Sequence, residues 1–187
     1  MSLLVIGILL FTGVHLLPSR APQIASSWRK ALGENGYKGS FSLLTLLALV
    51  LIVMGWRGVE PSALYQPISY FRQPAIALTM MAIGLLVVGS RNSRIRQGVR
   101  HPQLLGVFIW ALAHLITNGD SRSVLLFASM AIWSFMEMRA ISQREGDWVK
   151  DDIPPVGAEI ITAIIVVVLA GGLAYGHAYF TGVQVIY

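Results

Sequence analysis

Near-continuous apolar stretches alternate with short polar loops along the whole chain. Each stretch is as long as a membrane span of ~20 residues or slightly shorter, so flanking polar residues would lie in the interface. The pattern predicts an all-α, polytopic integral membrane bundle with about six transmembrane helices. The predicted spans are roughly Ser2–Pro18, Phe41–Trp56, Pro74–Gly89, Pro102–Thr117, Ser121–Met138 and Glu159–Phe180.

Basic residues are distributed unevenly between the two predicted sides of the membrane. Most fall in the loops after spans one, three and five, and cytoplasmic loops are the ones that carry excess positive charge. We therefore expect both termini to be periplasmic, in a bacterial inner (cytoplasmic) membrane. The residues on the predicted cytoplasmic side are Arg20, Arg29, Lys30, Lys38, Arg91, Arg94, Arg96, Arg100, Arg139, Arg144 and Lys150, and those opposite are Arg57, Arg72 and Arg122.

Two of the loops have distinctive sequence patterns. Within residues 21–33, Ile24, Trp28 and Leu32 repeat every four residues beside basic side chains, which predicts a short amphipathic helix on the membrane surface that ends at Gly33. The loop from Glu145 to Pro155 is acidic and ends in two prolines, so we expect it to be irregular.

The composition agrees with a membrane protein of one domain, residues 1–187. Of the 187 residues, 55% are hydrophobic and 12% are charged, which leaves too little polar surface for a soluble domain of this length. The net charge of +5 comes from loop residues beside the spans, so we interpret it as membrane topology and expect no nucleic-acid partner. The chain has no cysteine, which excludes disulfides and thiolate chemistry.

Four histidines are the main candidates for chemistry: His15, His101, His114 and His177. Ionisable groups inside lipid are costly and commonly mark a site. His101 and His114 are ~20 Å apart along one helix and point to nearly opposite sides, so a shared site must combine different spans. Two neutral imidazoles on facing helices are able to hold a haem iron, and the cytoplasmic arginines would meet its propionates.

The first histidine lies in the string GVHLLPSR, Gly13–Arg20. We expect Gly13 to permit close approach of a second helix. Pro18, with Ser19 beside it, is expected to end or kink the span.

A longer string, RHPQLLGVFIWALAHLITNGD, runs from Arg100 to Asp120. Pro102 suits the first turn of a helix, and Gly106 leaves room for a neighbouring helix. Asn118 and Asp120 place polar groups about one turn beyond His114, where turn formation alone is the alternative explanation.

These strings, with LGENGYKGSFSLLTLL between them, closely resemble the NnrU family of bacterial membrane proteins. The resemblance implies a redox role linked to denitrification and nitric oxide metabolism. The superfamily also contains the plant 15-cis-zeta-carotene isomerase, a haem b enzyme, which implies haem b with His15 and His114 as ligands and either a nitrogen oxide or an apolar polyene as substrate. Ser19, Asn118 and Asp120 would surround these ligands. The plant cysteine three residues before the second histidine is Ala111 here, so thiolate chemistry there is unavailable.

The predicted spans give His15 and His114 different depths. They would be offset by ~9 Å along the membrane normal, with His15 nearer the cytoplasm. His15 with His101, or His114 with His177, are therefore alternative ligand pairs matched in depth.

Two other functions stay open. Arg100, His101 and Pro102 followed by Gly106 resemble the motif with which isoprenylcysteine methyltransferases hold S-adenosylmethionine, although the acidic and aromatic C-terminal signature is missing. The other open function is non-enzymatic, as an assembly factor or transporter for a nitrite or nitric oxide reductase. Small-residue faces in spans two and six would permit homo-oligomers, and haem chemistry would require a redox partner.

Overall fold

The computed structural model describes residues 1–67, 69–150 and 152–183. Within these ranges the protein is all-helical, and the only β pairing is an isolated bridge between Ala63 and Asp120. The six α-helices follow the order of the six predicted spans. They are α1 (Ser2–Arg20), α2 (Pro22–Arg57), α3 (Arg72–Gly89), α4 (Pro102–Thr117), α5 (Ser121–Glu145) and α6 (Val156–Thr181).

Five of these helices are long and apolar enough to cross a membrane. The exception is α4, which is apolar but has only 16 residues. Large apolar side chains on α6, such as Val167 at 71% and Val168 at 66% exposure, face outward. Such a surface is expected against lipid rather than water. The chain is therefore a multi-span membrane protein.

The chain forms two compact units, Met1–Ser62 and Ala63–Tyr187. In the first unit, α1 and α2 pack with their backbones in direct contact. A Cβ atom on Gly7 would lie 2.9 Å from the carbonyl oxygen of Ala48, and one on Gly55 would collide with the backbone of Leu4. The prediction that Gly13 serves this purpose is wrong, because no atom lies within 4 Å of the corresponding Cβ site.

The sequence predicts helix breaks at Pro18 and Gly33, and of these two only Gly33 interrupts the helix that contains it. Pro18 was expected to end or kink the first span, but it lies inside α1, which continues to Arg20. Gly33 has φ 69° and ψ 172°, a conformation that other residues avoid, and it interrupts α2 as predicted. Across this interruption the rings of Trp28 and Tyr37 are 4.9 Å apart, and Arg29 pairs with Glu34 at 3.0 Å.

In the second unit, α3 packs closely on α4. Gly106 makes this possible, as predicted, because its Cβ site lies 2.8 Å from the carbonyl oxygen of Ala82. The turn Asn118–Asp120 connects α4 to α5, and α6 packs along α3. The segment between α5 and α6 is not helical where it is described, as expected from its prolines.

A polar network connects α6 to the loop after α3. The carboxylate of Glu159 accepts hydrogen bonds from Ser93 Oγ at 3.1 Å and from the backbone NH of Arg94 at 2.6 Å. One turn later, Thr162 Oγ1 accepts from Arg91 Nε at 3.0 Å. Ser93 and Thr162 are both buried, so these bonds hold the beginning of α6 in place.

Candidate functional site

His15 lies in α1, half-buried among aromatic side chains. Its Nδ1 is 2.7 Å from the carbonyl oxygen of Phe11, one turn earlier. The imidazole stacks on the Phe11 ring at 4.2 Å and meets the edge of Phe41 from α2 at 5.1 Å. Aromatic rings from both helices of the first unit therefore contact His15.

His114 lies near the end of α4 in a comparable arrangement. Its Nδ1 is 2.8 Å from the carbonyl oxygen of Trp110, again one turn earlier. The Trp110 ring is 5.0 Å away and Phe127 from α5 is 4.5 Å away, measured between ring centroids. Ala111, where the plant enzyme has cysteine, is completely buried.

The hydrogen bonds of these two histidines determine which ring nitrogen carries the proton. A carbonyl oxygen only accepts, so in the neutral imidazole the proton is on Nδ1 and the lone pair on Nε2. Histidines that bind metals commonly have this arrangement, because donation from the other nitrogen fixes the tautomer and the ring orientation. In the neutral form of both His15 and His114, Nε2 is therefore the nitrogen that carries the lone pair.

His177 from α6 lies beside His114. Their ring centroids are 6.5 Å apart, and His177 Nδ1 is 2.8 Å from the carbonyl oxygen of Val183. The two ring planes are inclined by 26°, in a stacked arrangement. The alternative pair His114 and His177 therefore lies together within the second unit.

The polar residues near the two ligand candidates mainly stabilise helix ends. Asp120 is the N-cap of α5, where it accepts from the backbone NH of Ser123 at 3.0 Å and from its hydroxyl at 2.6 Å. Asn118 donates to the carbonyl oxygen of His114 at 2.9 Å, and Ser19 donates to the Leu16 carbonyl at 3.2 Å. These bonds support the turn interpretation of Asn118 and Asp120.

Tyr65 has a role that the sequence did not reveal. Its hydroxyl donates to the carbonyl oxygens of Leu115 and Asn118 at the end of α4, the second at 2.8 Å. The backbone NH of Tyr65 also donates to the Gly119 carbonyl at 3.0 Å. Burial, with the charge of Asp120, raises the pKa of Tyr65, so its hydroxyl remains a donor. Tyr65 thus fixes the turn that follows His114.

The other end of α4 forms a separate polar cluster. His101 Nε2 is 2.7 Å from Ser142 Oγ of α5, and Arg100 lies 3.8 Å from the Glu145 carboxylate. Burial and the neighbouring Arg100 lower the pKa of His101, and Glu145 opposes the shift. A shallow, open surface depression of about 370 Å³ on α5 is lined by Phe135, Met138, Arg139, Ser142 and Gln143.

The donors around these histidines are compatible with haem. Among the described residues, no group of three or more histidine, aspartate or glutamate side chains is placed to hold a metal. Haem needs only one or two protein ligands because the porphyrin supplies the other four nitrogens. Histidines with Nδ1 bonded to a carbonyl, surrounded by aromatic rings, meet that requirement.

The helices and these clusters define a polytopic helical membrane protein with histidines on three of its apolar helices. The model of the NnrU protein family matches residues 3–185, nearly the whole chain, and the chain therefore belongs to the NnrU family.

A second similarity is more distant. The chain is 32% identical over 82 residues to protein-S-isoprenylcysteine O-methyltransferase from Schizosaccharomyces pombe, covering 40% of this chain and 34% of that protein. The chain thus matches about a third of the length of that relative. No solved structure matches the chain significantly.

Proposed function

We propose that this protein binds haem b in the bacterial inner membrane and has a redox role linked to denitrification and nitric oxide metabolism. The observation that carries the proposal is the state of His114, whose Nδ1 is bonded to the Trp110 carbonyl so that Nε2 carries the lone pair. Membership of the NnrU family, and the resemblance of its motifs to those of a haem-dependent isomerase, support this reading.

Each residue has a defined task in the proposal. His114 would hold the haem, and the motif resemblance gives His15 as the second residue that would hold it. Trp110 and Phe127 provide flat apolar surfaces that suit a macrocycle and keep water away. Haem would supply a redox-active iron, which is suited to nitrogen oxides or to isomerisation of a polyene. Without a cysteine at Ala111, any such isomerisation proceeds without a nearby thiolate.

The first test is an absorption spectrum of the detergent-purified protein, produced with added haem precursor, before and after reduction by dithionite. We expect a Soret band and sharp bands in the reduced state, which strong axial ligands produce. A colourless protein would refute haem binding.

Histidine variants identify the ligands. We expect His15→Ala and His114→Ala each to lose haem, while His177→Ala and the control His101→Ala retain it. In His114→Gly, added imidazole should restore the Soret band, an effect that a purely structural role would not produce. Loss in His114→Ala and His177→Ala, with retention in His15→Ala, would instead assign the pair in α4 and α6. Normal spectra in both His15→Ala and His114→Ala would reject the proposed ligands.

A methyltransferase-like function is the second candidate. It is favoured by the similarity to the Schizosaccharomyces pombe methyltransferase and by the surface depression at Ser142, the partner of His101. In this reading Arg100 and His101 contact S-adenosylmethionine at the cytoplasmic surface. Equilibrium dialysis with labelled S-adenosylmethionine tests it, and binding should disappear in Arg100→Gln and His101→Ala.

A non-enzymatic assembly or transport role is the remaining alternative. A protein that binds neither haem nor S-adenosylmethionine, but co-purifies with subunits of a nitrogen-oxide reductase, would favour it.

A further inference from the structure

A groove between α3 and α6 combines an apolar wall with a cationic end. Its volume is about 330 Å³, at the lower end of the range for ligand pockets. The cationic end is at Arg91, just after α3. The lining residues are Leu86, Val87, Ser90, Arg91, Ile165 and Leu169.

Arg91 is held in position by α6. Its Nε donates to Thr162 Oγ1 at 3.0 Å, and the Thr162 hydroxyl donates in turn to the Ala158 carbonyl at 2.8 Å. Thr162 is only 4% exposed, so this bond is protected from competing solvent. The bond uses Nε and not the two terminal amino groups of the guanidinium, which are the atoms that contact phosphate oxygens in bidentate pairs.

The charge around Arg91 is positive. Arg94 and Arg96 follow in the same loop, and Glu159 is the acidic residue of the network that joins this loop to α6. The Glu159 carboxylate accepts hydrogen bonds from Ser93 and from the backbone of Arg94. Arg91 is the charged residue that lines the groove, whereas Arg94 and Arg96 are not among the lining residues and Arg96 Nη1 donates to the Gly89 carbonyl at 3.1 Å. The rest of the groove is apolar and lies on two helices that are long and apolar enough to span a membrane.

We propose that this groove binds one diacyl phospholipid with an anionic headgroup. The phosphate contacts Arg91, and one acyl chain lies along Leu86, Ile165 and Leu169. Basic pockets between membrane helices bind anionic headgroups in this way, and each cation near the surface contributes about 1 kcal/mol to the attraction. None of the proposed haem ligands is among the residues that line the groove.

Native mass spectrometry of the full chain tests the proposal. The protein is released from a neutral detergent and titrated with phosphatidylglycerol or phosphatidylcholine of identical acyl chains. We expect the first phosphatidylglycerol to bind at least about fivefold more tightly than phosphatidylcholine. Equal affinities would overturn the proposal, and this comparison needs no variant.

Variants locate the site. Arg91→Gln should weaken phosphatidylglycerol binding about fivefold and phosphatidylcholine binding less, because the choline cation offsets the charge of that phosphate. Arg91→Lys keeps the charge but loses the planar fork and the bond to Thr162, so an intermediate loss is expected. Thr162→Val keeps the charge but removes the hydroxyl that positions it, so an intermediate loss is expected. Arg57→Gln, at the end of α2, is the matched control. An equal loss in Arg57→Gln and Arg91→Gln would show a general charge effect and reject the site.

A final experiment distinguishes binding of a phospholipid from binding of free phosphate. Inorganic phosphate at millimolar concentration should neither bind detectably nor displace phosphatidylglycerol, because it lacks the acyl chain that fills the apolar part of the groove. Displacement by phosphate would overturn the assignment to a lipid.

Discussion

The helix pairs α1–α2 and α3–α4 have the same local construction. In each, glycine allows two backbones to touch, at Gly55 in the first pair and Gly106 in the second. Each pair also contains a histidine whose Nδ1 bonds to the carbonyl of an aromatic residue one turn earlier. The close backbone contact at glycine and the imidazole with Nδ1 bonded to a carbonyl oxygen therefore occur in both helix pairs.

The surroundings of the two histidines differ. The rings around His15 include those of Phe11 and Phe41. His114 has a second histidine at 6.5 Å, and the turn after it is fixed by Tyr65.

The comparison separates contacts within one helix from contacts that depend on the packing of distant parts of the chain. The hydrogen bond from histidine to the preceding turn follows from helix geometry and recurs wherever an imidazole adopts the required rotamer. The neighbouring histidine and the Tyr65 bonds depend on distant parts of the chain. We therefore expect differences between the two helix pairs to come from the contacts with distant parts of the chain.

The largest expected effect concerns the glycine contacts. Gly55→Ala and Gly106→Ala place a Cβ atom against backbone, and we expect each to reduce the free energy of unfolding by about 1–3 kcal/mol. The measurement is thermal unfolding in detergent. Gly55→Ala should be the more damaging, because its Cβ site collides with the Leu4 backbone.

Two other glycines provide the controls. Gly13 in α1 and Gly84 in α3 have no atom within 4 Å of their Cβ sites. Gly13→Ala and Gly84→Ala should therefore be neutral or stabilising by up to about 1 kcal/mol, because alanine favours helix. If all four variants lose the same stability, the close contacts do not hold the pairs together.

Glycine also shows how far the sequence predicts this fold. The apolar periodicity predicts all six helices, because length and hydrophobicity are properties of each segment alone. Choosing the contact glycine requires knowing which helix face meets a partner. The sequence therefore indicated Gly106 correctly and Gly13 incorrectly, and it did not single out Gly7 or Gly55.

The next effect is confined to the second unit. Tyr65→Phe removes the donor to two carbonyl oxygens at the end of α4, and we expect a loss of about 1 kcal/mol. In hydrogen–deuterium exchange, peptides covering residues 108–120 should exchange faster, while peptides covering residues 5–20 stay unchanged. Tyr70→Phe is the control, because Tyr70 is 88% exposed. Equal acceleration in both regions would contradict a local role for Tyr65.

The sequence predicts the candidate site less completely than it predicts the fold. The four histidines are evident because ionisable residues are rare in apolar segments. Their neighbours are not, since Tyr65 lies in an irregular loop and Ser142 is 41 residues from His101. The contact between His114 and His177 requires the packing of α6, which hydropathy leaves undetermined.

The smallest effect is a pH dependence at the opposite end of α4 from His114. Burial and Arg100 lower the pKa of His101 in the folded protein below its usual value of about 6.5. Above pH 6.5 the imidazole is neutral in both the folded and unfolded states, and its contribution to stability is complete. As the pH falls through the folded pKa, the unfolded state binds the proton more readily, so stability is lost.

The wild type should therefore unfold at a lower temperature at pH 5 than at pH 7, and His101→Gln should show a smaller difference. The change should stay below about 1 kcal/mol because His101 is partly exposed. In Arg100→Gln, removal of the cation should also reduce the pH dependence, whereas an unchanged profile in both variants would place the titrating group elsewhere.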